Sequence, residues 1–231
     1  LRLDGVSALF LALLSVVGGA GAVYAREYWA EQRYPASAPR GRAWWCGLVL
    51  SMGLVLVASN GLHFLLGWEL FTVCAYFLIT LDRQRPEVRA AGWLYLAASH
   101  AGTVCLFAFF TTLAVRTGSW ELGPMREQAG LAPLFWMALA GFGVKAGVFP
   151  LHVWLPSAHA NAPSHVSAIL SGVAIKMGVY EYARKNLAEI DKQMAVVLSK
   201  DRERRKEESK KRKREEGDKE GEGDKERKGV E

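Results

Sequence analysis

Long apolar stretches separated by short polar segments fill residues 1–183 of the chain. A helix of about 20 residues crosses the ~30 Å hydrocarbon layer of a bilayer, and several of these stretches reach that length. The pattern therefore predicts an all-α, polytopic membrane helix bundle with about six transmembrane helices. The expected spans are residues 5–25, 43–60, 61–81, 90–115, 131–150 and 164–183.

The composition changes near Ala183. Residues 1–183 contain 12 Lys+Arg and 9 Asp+Glu, which leaves 17 and 14 of the chain's 29 and 23 for residues 184–231. A segment with so much charge and so few aromatic residues does not bury enough apolar surface to offset its chain entropy. We therefore expect a partial transmembrane domain at 1–183 and a disordered, charged, low-complexity tail at 184–231.

Basic residues near the ends of the spans predict the orientation, because Lys and Arg mark the cytoplasmic side. The loops on one side hold seven arginines, and those on the other side hold three before the tail. The seven are Arg26, Arg33, Arg40, Arg42, Arg83, Arg85 and Arg89. Their side is expected to be cytoplasmic, which places the basic tail outside. Either the number of predicted spans is wrong, or the tail was not part of the original membrane protein.

Three ionisable residues, Glu69, Lys145 and Lys176, lie inside predicted spans. An ionised side chain at mid-depth costs at least ~2.5 to 3.5 kcal/mol, so charges kept there usually handle ions or protons. At 1.5 Å per helical residue, the three lie roughly 10 to 21 Å from the outer side. They are therefore candidates for one layer of charge-handling groups inside the bilayer.

Pro150 interrupts the span that carries Lys145. It lacks an amide proton and frees the carbonyl of Ala146, so we expect the helix to break beside the lysine. Transporters place their ion sites at broken helices of this kind. Two other interpretations stay open. The lysine extends to the interface, or it forms a static ion pair with Glu69 that only fixes helix packing.

Histidines extend this set of protonatable groups. His100 lies near the middle of the fourth span and His165 begins the sixth, and an imidazole exchanges protons near neutral pH. The spacing of His152, His159 and His165 does not place them on one helical face, and no acidic residue lies among them, so no metal site is predicted. Without a nucleotide-binding loop, a catalytic triad or a cysteine cluster, we expect no cofactor, no catalytic residue and no redox centre in this chain.

Several motifs resemble the antiporter-type membrane subunits. They are Trp68-Glu69-Leu70, the stretch from Val144 to Ala168 with its Lys145, Pro150, His152, His159 and His165, and the stretch from Gly172 through Lys176 to Tyr180. The family includes the proton-pumping subunits of respiratory complex I, the Mrp-type sodium/proton antiporters, and the membrane subunits of formate hydrogenlyase and related hydrogenases. The stretch from Arg89 to Thr103, together with Lys176, favours the hydrogenase-linked branch.

The resemblance implies that Glu69 pairs with Lys145 at the helix break, and that Lys176 and His165 continue a proton path, with His100 as a further member. It implies a proton-translocating subunit of an NADH:quinone oxidoreductase or an energy-converting hydrogenase. Other membrane and peripheral subunits would then carry electron transfer, and quinone would bind only to those partners. The resemblance covers about residues 3–183, which correspond to the first of the family's two inverted repeats and a helix ahead of it.

Two alternatives to a proton-relaying subunit follow from the same sequence. One is a non-transporting, truncated membrane fragment whose tail serves as a scaffold or regulatory arm. The other is a soluble protein that acts on nucleic acid, which rests only on the basic run at 210–214 and is incompatible with six apolar spans. We therefore expect contact with the lipid bilayer and none with nucleic acid.

Overall fold

The computed structural model describes residues 3–121 and 132–178, and all helices and turns discussed below lie in these ranges. Residue contacts divide the chain into two units, Leu1–Lys185 and Asn186–Glu231, and every described residue lies in the first. The predicted tail lies outside the described residues.

Regular structure in the described ranges is helical, which confirms the all-α prediction for this part of the chain. The helices are α1 (Gly5–Tyr28), α2 (Ala38–Val57), α3 (Gly61–Ile79), α4 (Pro86–Thr117), α5 (Ala132–Ala146), α6 (Leu155–Asn161) and α7 (Ser164–Ile169). A π-helical turn at Leu170–Ala174 continues α7. Within the described residues, α1, α3 and α4 are long and apolar enough to cross a membrane, and α5 contains a shorter apolar stretch.

Local sequence signals explain where α3 and α4 begin and end. The side chain of Asn60 accepts a hydrogen bond from the Leu62 amide (2.8 Å), which satisfies a free donor at the start of α3. Helix α4 begins at Pro86, where the missing amide proton costs nothing, and Glu87 follows in the first turn. It ends at Thr117 and is capped by Gly118, whose φ of 70° suits a residue without a Cβ atom.

Helix α3 is the centre of the packing. It lies between α2 and α4, while α4 packs against α5 and α1 packs against α2 and α7. The buried core is formed largely by apolar side chains of α2, α3 and α4, including Leu48, Met52, Phe64, Phe71 and Phe109, which are fully buried. A polar side chain that enters this region from α5 is therefore enclosed by protein instead of lipid.

The fifth predicted span is shorter in the structure than in the sequence analysis. Helix α5 ends at Ala146, four residues before Pro150, and Gly147 takes a φ of 66°. The following segment, 147–154, is not helical and contains Pro150. The interruption therefore begins at Gly147, because a glycine is free to adopt the left-handed conformation that turns the chain out of the helix. The segment predicted as a connection, 151–163, contains helix α6.

Candidate functional site

Lys145 lies in the last turn of α5 and points into the bundle, where the residue is only 2% exposed. The chain folds back after the turn at Gly147 and brings Trp154 beside the same helix end. The indole Nε1 of Trp154 donates to the Val144 carbonyl oxygen (2.8 Å), which also accepts from the Gly147 amide (3.2 Å) where α5 ends. This hydrogen bond fixes the end of α5 and, with it, the origin of the Lys145 side chain.

Two hydroxyl groups accept hydrogen bonds from the Lys145 ammonium. Nζ donates to Thr72 Oγ1 at 2.9 Å and to Tyr95 Oη at 3.0 Å. The Thr72 hydroxyl itself donates to the Trp68 carbonyl oxygen (2.9 Å), which leaves its lone pairs free for the lysine. An ammonium has three donors, so α3 and α4 together satisfy two of them.

Aromatic rings surround the remaining side of the ammonium. Nζ lies 4.0 Å from the ring centroid of Phe71, 5.0 Å from that of Tyr95 and 5.5 Å from that of Trp68. Ring faces attract cations within about 6 Å, and this attraction strengthens when water is excluded. We call Trp68, Phe71, Thr72 and Tyr95 the lysine cage. It is a setting in which a buried ammonium is stabilised without a carboxylate in direct contact.

A close approach of α4 and α5 makes the cage possible. A Cβ atom on Gly141 would lie 2.5 Å from the Leu106 side chain and 2.9 Å from the Gly102 carbonyl oxygen. Glycine at position 141 therefore lets the two backbones approach closely. This contact lies one helical turn before Lys145 and brings the lysine within reach of Tyr95.

Glu69 lies on α3, one helical turn before Thr72, and pairs with His100 of α4. Its Oε2 atom lies 3.2 Å from His100 Nε2, and the side chains are 33% and 49% exposed, respectively. In the described part of the chain, Glu69 makes no ion pair with Lys145 within 4.0 Å, and its Oε1 atom is buried without a hydrogen-bond partner. In place of the predicted direct pair, Glu69 contacts His100, and Lys145 contacts Thr72 one turn further along α3.

The two ring nitrogens of His100 face different groups, and these partners constrain where protons lie. Its Nδ1 lies 2.9 Å from the Leu96 carbonyl oxygen, while its Nε2 faces the Glu69 carboxyl group. A carbonyl oxygen only accepts, so Nδ1 must carry a proton to make that bond. The contact with Glu69 then needs one further proton, either on Nε2 or on the carboxyl oxygen. The distance of 3.2 Å between Nε2 and Oε2 therefore suits one proton held between Glu69 and His100.

His165 is also buried, at 6% exposed, but it faces α1 and α2. Its ring packs at 5.2 Å from the ring of Trp45 and at 6.1 Å from that of Tyr28, and its Nδ1 has no hydrogen-bond partner among the described residues. It lines a cavity of about 180 Å³ together with Arg26 and Arg42. No hydrogen bond or ion pair links it to Lys145 or Glu69 within the described ranges.

Lys176 is exposed in the described structure and donates to the Ser171 carbonyl oxygen of its own segment. It follows the π-helical turn at Leu170–Ala174, an irregularity that often marks functional sites in helices. The structure therefore groups Glu69, His100 and Lys145 on the three neighbouring helices α3, α4 and α5. Among the described residues, no hydrogen bond or ion pair joins Lys176 or His165 to them.

Two further histidines follow the end of α5: His152 lies in the non-helical segment 147–154, and His159 lies in α6. His159 Nδ1 lies 2.7 Å from Ser167 Oγ, which ties α6 to α7, and His152 Nδ1 is buried without a partner in the described ranges. In the described ranges, no three or more His, Cys, Asp or Glu side chains are placed to hold a metal ion.

The lysine cage was not predicted from the sequence. Two features of the sequence are consistent with it but do not identify it. Thr72 follows Glu69 by three residues and so lies on a neighbouring face of α3, and Tyr95 is the sole tyrosine of the 32-residue helix α4. Neither signal says which side chain of α5 would lie opposite.

Comparison with known protein families gives one match over most of the membrane part of the chain. The profile described as "NADH:quinone oxidoreductase/Mrp antiporter, TM" matches residues 58–199. This range includes Glu69, His100, Lys145, His165 and Lys176.

Individual relatives agree with this match. Hydrogenase-4 component B of Escherichia coli is 34% identical over 184 residues, which are 78% of this chain and 27% of the relative. NAD(P)H-quinone oxidoreductase chain 4 1 of Synechococcus is 38% identical over 143 residues, 58% of this chain and 26% of the relative. A chain of the Mrp complex from Dietzia superposes with a TM-score of 0.69 at 26% identity, and the match covers 78% of this chain and 20% of that one. The chain thus spans less than a third of the length of these relatives.

Proposed function

The chain belongs to the NADH:quinone oxidoreductase/Mrp antiporter membrane family, and we propose that it relays protons as a membrane subunit of a larger assembly. In this proposal, residues 1–183 form the transmembrane domain with about six spans, and residues 184–231 form the charged tail. The location in a membrane follows from the family and from the three membrane-length apolar helices of the described residues.

The observation that carries the proposal is the enclosure of Lys145 inside an apolar bundle. A lysine that merely balanced helix packing would be expected to contact a carboxylate, since an uncompensated buried charge is costly. Lys145 instead meets two hydroxyl groups and three ring faces, which accept an ammonium and also tolerate a neutral amine. A site that suits both forms of the amine suits a group that gains and loses a proton.

The pair of Glu69 and His100 supplies the second element of the proposed relay. It holds one proton between two acceptors that lie near the turn of α3 contacted by Lys145. A proton that moves between this pair and the lysine through water would change the charge of both arrangements together. In this proposal Pro150 belongs to the helix interruption that opens space beside Lys145, and His165 and Lys176 extend the path beyond it.

The partners follow from the relatives, not from the described residues themselves. One relative is named as a hydrogenase component and another as a quinone oxidoreductase chain. We therefore propose that electron transfer, and any contact with quinone, resides in other membrane and peripheral subunits. The chain itself contributes the proton-handling side chains.

The test is proton transport by the assembled complex in sealed membrane vesicles, measured with a pH-sensitive dye. Lys145→Ala should lower the initial rate at least tenfold while electron transfer by the partner subunits continues. The matched control is Arg85→Ala, which removes the same charge from an exposed site outside α3, α4 and α5 and should leave the rate within about twofold. Undiminished transport in Lys145→Ala would contradict the proposal and favour a non-transporting membrane fragment.

A further inference from the structure

A groove opens at the end of the bundle where α2 begins and α3 ends. Its volume is about 680 Å³, and the arginines Arg40 and Arg83 both line it. We propose that this α2–α3 groove binds the phosphate headgroup of an anionic phospholipid. This proposal concerns a site separate from the lysine cage and does not depend on the proposed function.

The walls of the groove are stacked aromatic rings. Trp44 of α2 and Phe77 of α3 lie with their ring centroids 4.2 Å apart and their planes at 13°. Trp29 and Tyr34, from the connection between α1 and α2, stack at 4.0 Å and 6°. Tryptophan and tyrosine are typical of the boundary between hydrocarbon and headgroups, and these rings lie at the ends of apolar helices. The groove is therefore placed at the depth of lipid headgroups.

Both arginines have guanidinium groups oriented by protein and free of carboxylates. Arg83 lies over the Phe77 ring, with 5.0 Å between its Cζ atom and the ring centroid. Arg40 uses its Nε to donate to the Ala36 carbonyl oxygen (2.7 Å), which leaves its terminal nitrogens available. Within the described residues, neither guanidinium forms an ion pair. Each planar guanidinium group can donate two parallel hydrogen bonds to two oxygens of one phosphate.

The other polar groups of the groove fit the same ligand. Ser37 accepts a hydrogen bond from Trp29 Nε1 (3.0 Å) and keeps its own proton free to donate to a phosphate oxygen. Asp82 also lines the groove, so the two arginines leave a local charge of +1. This balance favours an anion, and a single phosphodiester matches it.

The surroundings of the groove favour a lipid headgroup over a free anion. The groove lies on the side with seven arginines near the span ends, the side expected to face the cytoplasmic leaflet. That leaflet carries anionic lipids, and basic pockets between membrane helices on this side bind lipid headgroups. Aromatic walls beside the arginines also suit the glycerol and upper acyl carbons of a lipid, which a free phosphate lacks.

Native mass spectrometry of the full chain tests the proposal by comparing bound phosphatidylglycerol with phosphatidylcholine of the same acyl chains. The native chain should retain phosphatidylglycerol preferentially. The double variant Arg40→Gln/Arg83→Gln should bind it ~30-fold more weakly, from about 1 kcal/mol per arginine at the membrane surface and 1.4 kcal/mol per factor of ten. Phe77→Leu, which removes the ring beneath Arg83, should weaken it by a smaller factor.

The matched control is Arg33→Gln/Arg85→Gln, which removes the same charge from the α1–α2 and α3–α4 connections, outside the groove. It should stay within about threefold of the native chain. Equal losses in the two double variants would mean a general surface attraction and would overturn the proposal, as would no loss in either. Displacement of the lipid by millimolar inorganic phosphate would also overturn it, because the groove would then be a site for a soluble anion. Helix content measured by circular dichroism verifies that each variant is folded.

Discussion

Lys145 and Lys176 both lie toward the end of an apolar segment, yet the structure surrounds them differently. Lys145 is enclosed by α3 and α4 and held by two hydroxyl groups and three aromatic rings. Lys176 is exposed, and within the described residues its ammonium donates to a carbonyl of its own segment. A charge in an apolar stretch therefore acquires its role from the neighbouring helices that face it, and the following predictions test this contrast.

The largest effect is expected from a change that separates α5 from α4. Gly141→Leu would place side-chain atoms where Leu106 and the Gly102 carbonyl already lie, so the chain should lose about 1–3 kcal/mol of stability. Gly19→Leu is the matched control, because a Cβ atom on Gly19 meets nothing within 4 Å. Its effect should stay within about 0.5 kcal/mol. Thermal denaturation in detergent micelles measures both, and equal destabilisation would contradict the close approach of these helices.

A smaller effect is expected from removing one hydroxyl group of the lysine cage. Tyr95→Phe keeps the buried ring but leaves a donor of Lys145 without its acceptor, which should cost about 1–2 kcal/mol. The same substitution in a Lys145→Met background should cost much less, since the donor is then absent. This double-mutant cycle isolates the contact. A cost of Tyr95→Phe that is unchanged by Lys145→Met would show that the hydroxyl acts elsewhere.

The contact between Glu69 and His100 should contribute less again. Polar contacts between membrane helices contribute about 0.6 kcal/mol on average, so the coupling between Glu69→Gln and His100→Ala should be of this size. Chemical denaturation of the two single variants and the double variant gives this coupling. A value near zero would mean that the two groups do not interact in the folded chain, and the shared proton would then have no support.

Lys176→Ala should have the smallest effect on the stability of the chain. Its ammonium contacts no other helix in the described ranges, so the change should fall within about 0.5 kcal/mol. The same thermal denaturation assay applies. A loss comparable to that of Tyr95→Phe would indicate that Lys176 is held by contacts as specific as those of Lys145.

The sequence predicted the family and much of the fold because its signals are local. Apolar runs of membrane length gave the helices, and the stretch from Val144 to Ala168 gave the resemblance that the family match confirms. Helix boundaries were less accurate. The apolar pattern extended the fifth span to Pro150, with a break expected beside Lys145; α5 does end beside Lys145, at Ala146, because Gly147 adopts a positive φ. Proline is a visible signal, whereas the turn at a glycine depends on what packs against it.

The partners of the buried charges were harder to predict, because they depend on which helix faces which. Glu69 was expected to pair with Lys145, and the structure instead pairs it with His100 and gives the lysine Thr72 and Tyr95. These contacts join residues 31 (Glu69 and His100), 50 and 73 positions apart, and helical spacing carries no information over such distances. The roles proposed for these side chains remain predictions that transport measurements test.

The contrast between Lys145 and Lys176 is tested most directly by labelling the native chain in lipid bilayers with a small lipophilic reagent that modifies primary amines. Peptide mass spectrometry measures the modification of each lysine. Lys176 should be modified, and Lys145 should react at least ~10-fold more slowly because the lysine cage encloses it on α3 and α4. Unfolding the chain before labelling should remove the difference. Equal modification of the two lysines in the folded chain would contradict the buried, hydroxyl-bound Lys145 on which the proposed relay rests.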